Sequence, residues 1–191
     1  MAPSDREQRA LRRARWAYER AHLLAALRGA ALAGALAVVA YGLHRMSSAA
    51  WLAAACLAAT LAVLGWRGGA WRRGALAGVI AGLPPLIAPT LVLAASSGWH
   101  CAMCDQGPTV PCLVTCLATS SLVGLLVGHR AVTDASPRRF AIAAITSAAL
   151  TGLLGCGTTG LGGALGVVIG LVAGGVTGWI FGVRTARAAR A

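Results

Sequence analysis

Long apolar runs alternate with short polar stretches from residue 23 almost to the end of the chain. There are six such runs: Leu23–Leu43, Ala49–Trp66, Gly74–Ser97, Cys112–Gly128, Phe140–Cys156 and Leu161–Val183. Each has about the 17–25 residues that a helix needs to cross the hydrocarbon core of a bilayer. The pattern predicts an all-α, polytopic integral membrane bundle of about six transmembrane helices. Residues 157–160 separate the last two runs, which are either two full spans or a re-entrant hairpin.

Composition agrees with a membrane protein. The 191 residues are 58% hydrophobic and 12% charged, and a soluble domain has about twice that charged fraction. The formal net charge of +12 does not indicate nucleic-acid binding, because every basic residue is an arginine placed beside an apolar run rather than in one patch. The short loops leave no room for a sizeable domain outside the membrane.

The arginines predict the orientation of the chain, since basic residues stay on the cytoplasmic side. We expect residues 1–22 to form a basic cytoplasmic helix, residues 23–183 the bundle, and residues 184–191 a basic cytoplasmic tail. The protein would then lie in a bacterial inner membrane with both termini inside. The cytoplasmic segments would hold the N-terminal arginines and Arg67, Arg72, Arg73, Arg130, Arg138, Arg139, Arg184, Arg187 and Arg190, leaving Arg45 alone outside.

This orientation gathers thiols at the outer face. Five of the six cysteines fall there: Cys101, Cys104, Cys112, Cys116 and Cys156. Cys101 and Cys104 have C-x-x-C spacing, and Cys112 and Cys116, four residues apart, share a helical face if the fourth helix begins near Pro111. Together with His100 they are predicted to form a cap over loop 98–116 and the end of the fifth run. Cys56 is left in the middle of the second span.

The cap has three interpretations. Disulfides that staple short loops are the general expectation in an oxidising compartment. The thiols and His100 also form the soft tetrahedral set that suits Zn²⁺ or Cu⁺, which would make the cap a metal or redox sensor. A quinone-linked thiol–disulfide oxidoreductase is the third interpretation, but it needs a second cysteine pair on another loop, and Cys156 is alone there. His100 follows Trp99 and is also explained as an interfacial side chain.

The sixth run carries a glycine at every fourth position: Gly162, Gly166, Gly170, Gly174, Gly178 and Gly182. Glycines in this register let a second backbone approach closely, as in a glycine zipper. We expect packing within the bundle, with a homo-oligomer or a pore as the alternative. Pro84, Pro85 and Pro89 predict a kink in the third run. That run has no ionisable residue, which argues against a coupled transporter; a metal-ion channel or exporter stays an alternative.

The span count, the short cytoplasmic N-terminus and the placement of Cys101–Cys116 and Cys156 resemble the six-span membrane anti-sigma factors of proteobacteria. The resemblance implies a protein without enzymatic activity that restrains a cytoplasmic sigma factor and releases it under metal or oxidative stress. It also implies that the basic segment Arg6–Arg20 faces this partner. The leading hypothesis is therefore a non-enzymatic membrane regulator whose outer thiol cap is stapled or senses metal or redox state.

Overall fold

The chain folds into six α-helices, seen in a computed structural model that describes residues 5–43, 48–96, 110–156 and 161–188. The helices are α1 Asp5–Leu43, α2 Ser48–Arg67, α3 Gly69–Ser96, α4 Val110–Ala131, α5 Pro137–Cys156 and α6 Leu161–Ala188. They account for 96% of the described residues, among which there is no strand. The all-α prediction is confirmed.

Five of these helices, α1, α2, α4, α5 and α6, are long and apolar enough to cross a membrane. Their outward faces carry large apolar side chains, such as Val38, Leu52, Leu122 and Leu126, which are 60% or more exposed. Apolar surface on this scale is unusual for a monomer in water. In a bilayer it meets lipid tails, so the arrangement is compatible with a multi-pass membrane protein.

Helix α1 joins two segments that the sequence pattern separates. It runs from Asp5 to Leu43 without a break, so the basic segment and the first apolar run are one rod. At 1.5 Å per residue, 39 residues extend about 59 Å, roughly twice the thickness of a hydrocarbon core. The side chains of residues 8, 9 and 11–20 are exposed. The N-terminal half of α1 therefore projects beyond the rest of the bundle.

Helices α3 and α5 form one tightly packed parallel pair. A Cβ atom added at Gly74 would meet the backbone of Phe140, and one added at Gly78 would meet the backbone of Ala144. The two contacts ascend together along both helices, so the helices run in the same direction. Their backbones come this close because glycine has no side chain.

Helices α4 and α6 form a second parallel pair. A Cβ at Gly170 would lie 2.7 Å from the carbonyl oxygen of Leu117, and one at Gly178 would overlap the carbonyl of Leu125. Glycines of α4 do the same in return, since Gly124 and Gly128 lie against the backbone of α6. The glycine series of α6 thus contacts α4 within one chain.

Helices α1 and α2 make a third, antiparallel pair. A Cβ at Gly29 would lie 2.8 Å from the carbonyl oxygen of Leu61, and one at Gly65 would lie 2.9 Å from that of Ala25. The glycines are reciprocal, one from each helix. Helix α1 packs mainly on α2, and α2 in turn contacts α5 and α3.

The α3–α4 and α5–α6 hairpins repeat one another in sequence. Helix α3 begins with an Arg72-Arg73-Gly-Ala-Leu-Ala run, and α5 begins with Arg138-Arg139-Phe-Ala-Ile-Ala. Helix α4 ends with a Gly-x-x-x-Gly-x-Arg pattern over 124–130, and α6 has the same pattern over 178–184. The two parallel pairs are therefore contacts between helices that share these short patterns. The spacing of the apolar runs does not show this similarity, because the connection at 97–109 is much longer than that at 157–160.

Candidate functional site

The chemically distinctive feature of the described structure is a buried pair of cysteines. Cys116 and Cys156 form a disulfide, with their Cα atoms 6.7 Å apart, inside the range that the bond requires. Cys116 lies two turns into α4, and Cys156 is the last residue of α5. Their exposed fractions are 1% and 0%. We call this end of the bundle the cysteine end.

A carbonyl group of α3 faces the sulfur of Cys156. The Cys156 Sγ lies 3.3 Å from the Pro85 carbonyl oxygen. In a regular helix that oxygen would accept a hydrogen bond from the residue four positions later, but this residue is Pro89, which has no N–H. The prolines of α3 thus leave a carbonyl directed at the cysteine pair, and α3 stays helical through them. A reduced Cys156 thiol would be a suitable donor to this carbonyl oxygen.

Glycines allow the surrounding helices to approach the sulfur pair. A Cβ at Gly155 would overlap the backbone of Leu86, so α5 ends in close contact with α3. Helix α6 lies on the other side at ordinary contact distance, since even a Cβ at Gly166 would lie 3.6 Å from the Cβ of Cys116. Four helices therefore surround the disulfide. A bulky thiol reagent can reach it only if these helices move apart.

The disulfide links the two parallel pairs. Cys116 belongs to the α4–α6 pair and Cys156 to the α3–α5 pair, and both residues lie in the interface between them. Glycine contacts hold each pair together internally, whereas the disulfide is a covalent bond between the pairs. The main chain connects α5 to α6 through residues 157–160, so the disulfide is an additional covalent link, which fixes α4 against the end of α5.

An ion pair links the same elements at the opposite end, which we call the arginine end. The guanidinium of Arg73, near the start of α3, donates to both carboxylate oxygens of Asp134, with the shortest N–O distance 3.0 Å. Asp134 lies in the α4–α5 turn, and its Oδ1 accepts a hydrogen bond of 2.9 Å from the backbone N–H of Ser136. This turn leads into Pro137 at the first position of α5, where proline is favoured.

The same contacts set the ionisation of Asp134. The hydrogen bond from the Ser136 N–H holds the pKa of the carboxyl below its ordinary value of 3.8, and Arg73 lowers it further by hydrogen bonding and charge. Partial burial of the side chain, which is 12% exposed, acts in the opposite direction. Asp134 is therefore charged under ordinary conditions and keeps Arg73 in place.

A third polar contact fastens α1 to α2 at the arginine end. His22 of α1 contacts the Trp66 carbonyl oxygen through its Nδ1 and stacks on Tyr18, with ring centroids 4.2 Å apart. Trp66 is in the last turn of α2, where carbonyl groups lack helical donors. The helix ends at Arg67 and is followed by Gly68, whose φ of 66° is the left-handed conformation that glycine favours.

The predicted cap residues have different outcomes. The structure brings Cys116 and Cys156 together, and it leaves Cys56 as a free, exposed cysteine of α2. Cys101, Cys104 and His100 lie outside the described residues, as does the side chain of Cys112, whose backbone is one turn before Cys116 in α4. Among the described residues there is no group of three or more metal-ligating side chains.

Sequence reasoning missed the Arg73–Asp134 pair and the His22 contact. Asp134 carried a usable signal, because it is one of only five acidic residues and precedes a Ser-Pro helix start. Arg73 carried no such signal, since it is 61 positions away from Asp134 and resembles the other arginines that flank the apolar runs. His22 carried no signal either, since its partner Trp66 is 44 positions away.

Comparison with known proteins assigns no family. No family model matches the chain, and neither a curated protein nor a solved structure is similar to it. Function has to be argued from the geometry.

Proposed function

We propose that this protein is a non-enzymatic, redox-responsive regulator in a bacterial inner membrane. It crosses the membrane six times, because α3 spans the bilayer in addition to α1, α2, α4, α5 and α6. Both termini are cytoplasmic. The single observation that carries the proposal is the disulfide between Cys116 and Cys156, a covalent link between the two helix pairs in addition to the main chain. A change at two sulfur atoms can therefore alter the relation between two large parts of the molecule.

The chemistry of the switch is a two-electron exchange. Reduction by an external dithiol breaks the S–S bond, adds two electrons and two protons to the pair, and converts the dithiol to its own disulfide. The Cys156 thiol formed in this way can donate to the Pro85 carbonyl oxygen, which lies 3.3 Å from its sulfur. Cys156 therefore has a defined partner in both states, Cys116 when oxidised and the Pro85 carbonyl oxygen when reduced. A switch needs two stable arrangements of this kind.

The output is the basic half of α1. Arginines 6, 9, 12, 13, 15 and 20 lie on this helix, and the described side chains among them are exposed. We propose that they bind a cytoplasmic protein, and the resemblance to membrane anti-sigma factors favours a sigma factor. The α3–α5 and α4–α6 pairs, each held together by glycine contacts, act as rigid bodies that move relative to one another when the disulfide opens. Zinc or copper at Cys101, Cys104, Cys112 and His100 would be a further input.

The experiment is affinity purification of the full chain from its host membrane, with and without the thiol oxidant diamide. We expect a sigma factor to co-purify, identified by mass spectrometry, in an amount that changes with the oxidant. The double variant Cys116→Ser, Cys156→Ser should remove the response. Cys56→Ser is the matched control, because Cys56 is free and exposed in α2, and it should respond like the wild type.

Two outcomes would overturn the proposal. The first is a chain that captures no sigma factor in either redox state. The second is capture that does not depend on the oxidant although the Cys116–Cys156 bond has been shown to open and close. In that second case the disulfide is a structural staple, an interpretation that its burial at 0–1% exposure also favours.

A further inference from the structure

Two neighbouring cavities between α4, α5 and α6 at the arginine end share Trp179, and we call them together the groove. The first has a volume of about 440 Å³ and is lined by Ser136, Pro137, Arg138, Arg139 and Trp179. The second, of about 240 Å³, is an apolar furrow lined by Gly128, Ala141, Ile145, Val172, Gly175, Val176, Trp179 and Ile180. Trp179 belongs to both linings and joins them. The groove is therefore basic at one end and apolar along the rest of its length.

The floor of the furrow is made by two glycines. Gly128 of α4 and Gly175 of α6 pack backbone against backbone, so no side chain rises between the helices there. Ile145 of α5 borders the opening, with its Cδ1 3.3 Å from where a Gly175 Cβ would lie. The walls at Val172 and Val176 are more than half exposed and face outward. The furrow is thus open along the surface that meets lipid tails.

The arginines at the basic end are available to bind an anion. Arg73, the counterpart of Arg139 in the repeated hairpin, is neutralised by Asp134. Within the described ranges no carboxylate pairs with Arg138 or Arg139. Guanidinium groups bind phosphate oxygens in a bidentate manner, and basic pockets between helices at a membrane surface bind acidic head groups.

We propose that this groove is a binding site for one anionic phospholipid. Its phosphate would lie between Arg138 and Arg139, its glycerol backbone beside Trp179, and one acyl chain in the furrow over Gly128 and Gly175. The charge of the basic end and the apolar continuation together select a phosphate that is attached to a hydrocarbon chain. The site concerns the α4–α5–α6 side of the bundle and does not depend on the redox proposal.

Native mass spectrometry of the full chain in detergent tests the site. The probes are phosphatidylglycerol and phosphatidylcholine with identical acyl chains. We expect phosphatidylglycerol to be retained preferentially. Arg138→Gln and Arg139→Gln should each reduce that preference roughly fivefold, the value of one basic residue near a membrane surface. The double variant Arg72→Gln, Arg130→Gln is the control for the double variant Arg138→Gln, Arg139→Gln. It changes the net charge by the same amount at positions outside the groove, and it should keep the preference for phosphatidylglycerol.

A second arm tests the furrow without touching the arginines. Val176→Phe fills the groove from its exposed wall and should weaken phosphatidylglycerol binding, whereas Val168→Phe, exposed on the same helix but outside the lining, should not. The proposal is overturned if the Arg72, Arg130 control loses as much preference as the groove variants, or if Val176→Phe binds like the wild type. Displacement of the lipid by millimolar glycerol 3-phosphate would instead assign the basic end to a soluble phosphate.

Discussion

At Gly174 a single added methyl group would overlap the backbone carbonyl of Ser121. The neighbouring atoms belong to the main chain of α4, so they cannot rotate away as the end of a side chain could. Four residues earlier and later, Gly170 and Gly178 have the same relation to α4. The absence of a Cβ at these positions is what sets the distance between the two helices.

We predict that Gly174→Ala destabilises the bundle by about 1–3 kcal/mol, the usual effect of overpacking. Gly166→Ala is the matched control on the same helix, because its Cβ would have nothing closer than 3.5 Å. That variant should be neutral or slightly stabilising, since alanine favours helix more than glycine does. Thermal unfolding in detergent measures both, and equal midpoints for the two variants would contradict the close contact.

Asp134 gives the fold a dependence on acid pH. A carboxyl whose pKa is lower in the folded state stabilises the fold above its ordinary pKa, and this contribution is lost as the pH falls through the folded value. For Asp134 the loss lies below its ordinary value of 3.8. We expect the thermal midpoint of the wild type to fall more steeply than that of Asp134→Asn as the pH is lowered below about 4.

Glu19→Gln is the control for this comparison. Glu19 pairs with Arg15 one turn away on the exposed part of α1, where an ion pair contributes little to stability. Its pH profile should follow the wild type. If Asp134→Asn also follows the wild type through the acid range, the Arg73–Asp134 contact does not hold the arginine end together.

At the scale of elements, α1 depends on one seam. It packs on α2 around Gly29 and Gly65, with the His22 contact at the arginine end. We predict that Gly29→Val displaces α1 from α2, because the new side chain would meet the main chain at Leu61. Gly34→Val should be tolerated, since nothing lies within 4 Å of a Cβ there.

Limited proteolysis of the purified chain measures this displacement, with cleavage in α1 followed by mass spectrometry. Faster cleavage of the Gly29 variant than of the Gly34 variant is the expected result. Equal cleavage of the two variants would show that the seam does not hold α1.

The elements themselves could be predicted from the sequence because the bilayer allows few solutions. A run such as Phe140–Cys156 has to satisfy its backbone groups internally, so its apolar length predicts a helix. The pairing of helices could not be predicted in the same way. The spacing of Gly170, Gly174 and Gly178 shows that another backbone approaches α6, but it does not say that this backbone is α4.

The sulfur pairing shows the same limit. Five cysteines that the sequence predicts near one face of a membrane allow many connections, and spacing alone drew attention to Cys101 with Cys104 and to Cys112 with Cys116. The Cys116–Cys156 bond depends on the relative height of α4 and α5, which is a tertiary property. The same holds for Arg73 and Asp134, brought together by the packing of α3 on α5.

At the scale of the whole molecule, the orientation of the bundle can be tested directly. We predict that a cysteine introduced by Gly98→Cys reacts with an impermeant maleimide in intact cells, whereas one introduced by Ala135→Cys reacts only after lysis. The background keeps Cys116 and Cys156 and replaces the other four cysteines with serine. The reverse labelling pattern would place the arginine end outside, and the regulatory proposal would fail.

The whole bundle consists of two parallel helix pairs, with α1 and α2 packed beside them, and the pairs are fastened to each other at both ends. At the arginine end the fastening is the Arg73–Asp134 ion pair, and at the cysteine end it is the disulfide. The bond closes a loop of 40 residues, for which chain entropy gives a stabilisation of about 4 kcal/mol. The disulfide is therefore the covalent link between α4 and α5 that redox chemistry can open.

Peptide mapping of this bond tests the central claim most directly. Cells are treated with the thiol oxidant diamide, their membranes are quenched in acid, free thiols are alkylated under denaturing conditions, and the chain is digested with trypsin and chymotrypsin without reduction. The account predicts a linked peptide pair containing Cys116 and Cys156, with Cys56 alkylated. Recovery of Cys116 or Cys156 as an alkylated free thiol, or joined to a different cysteine, would contradict it.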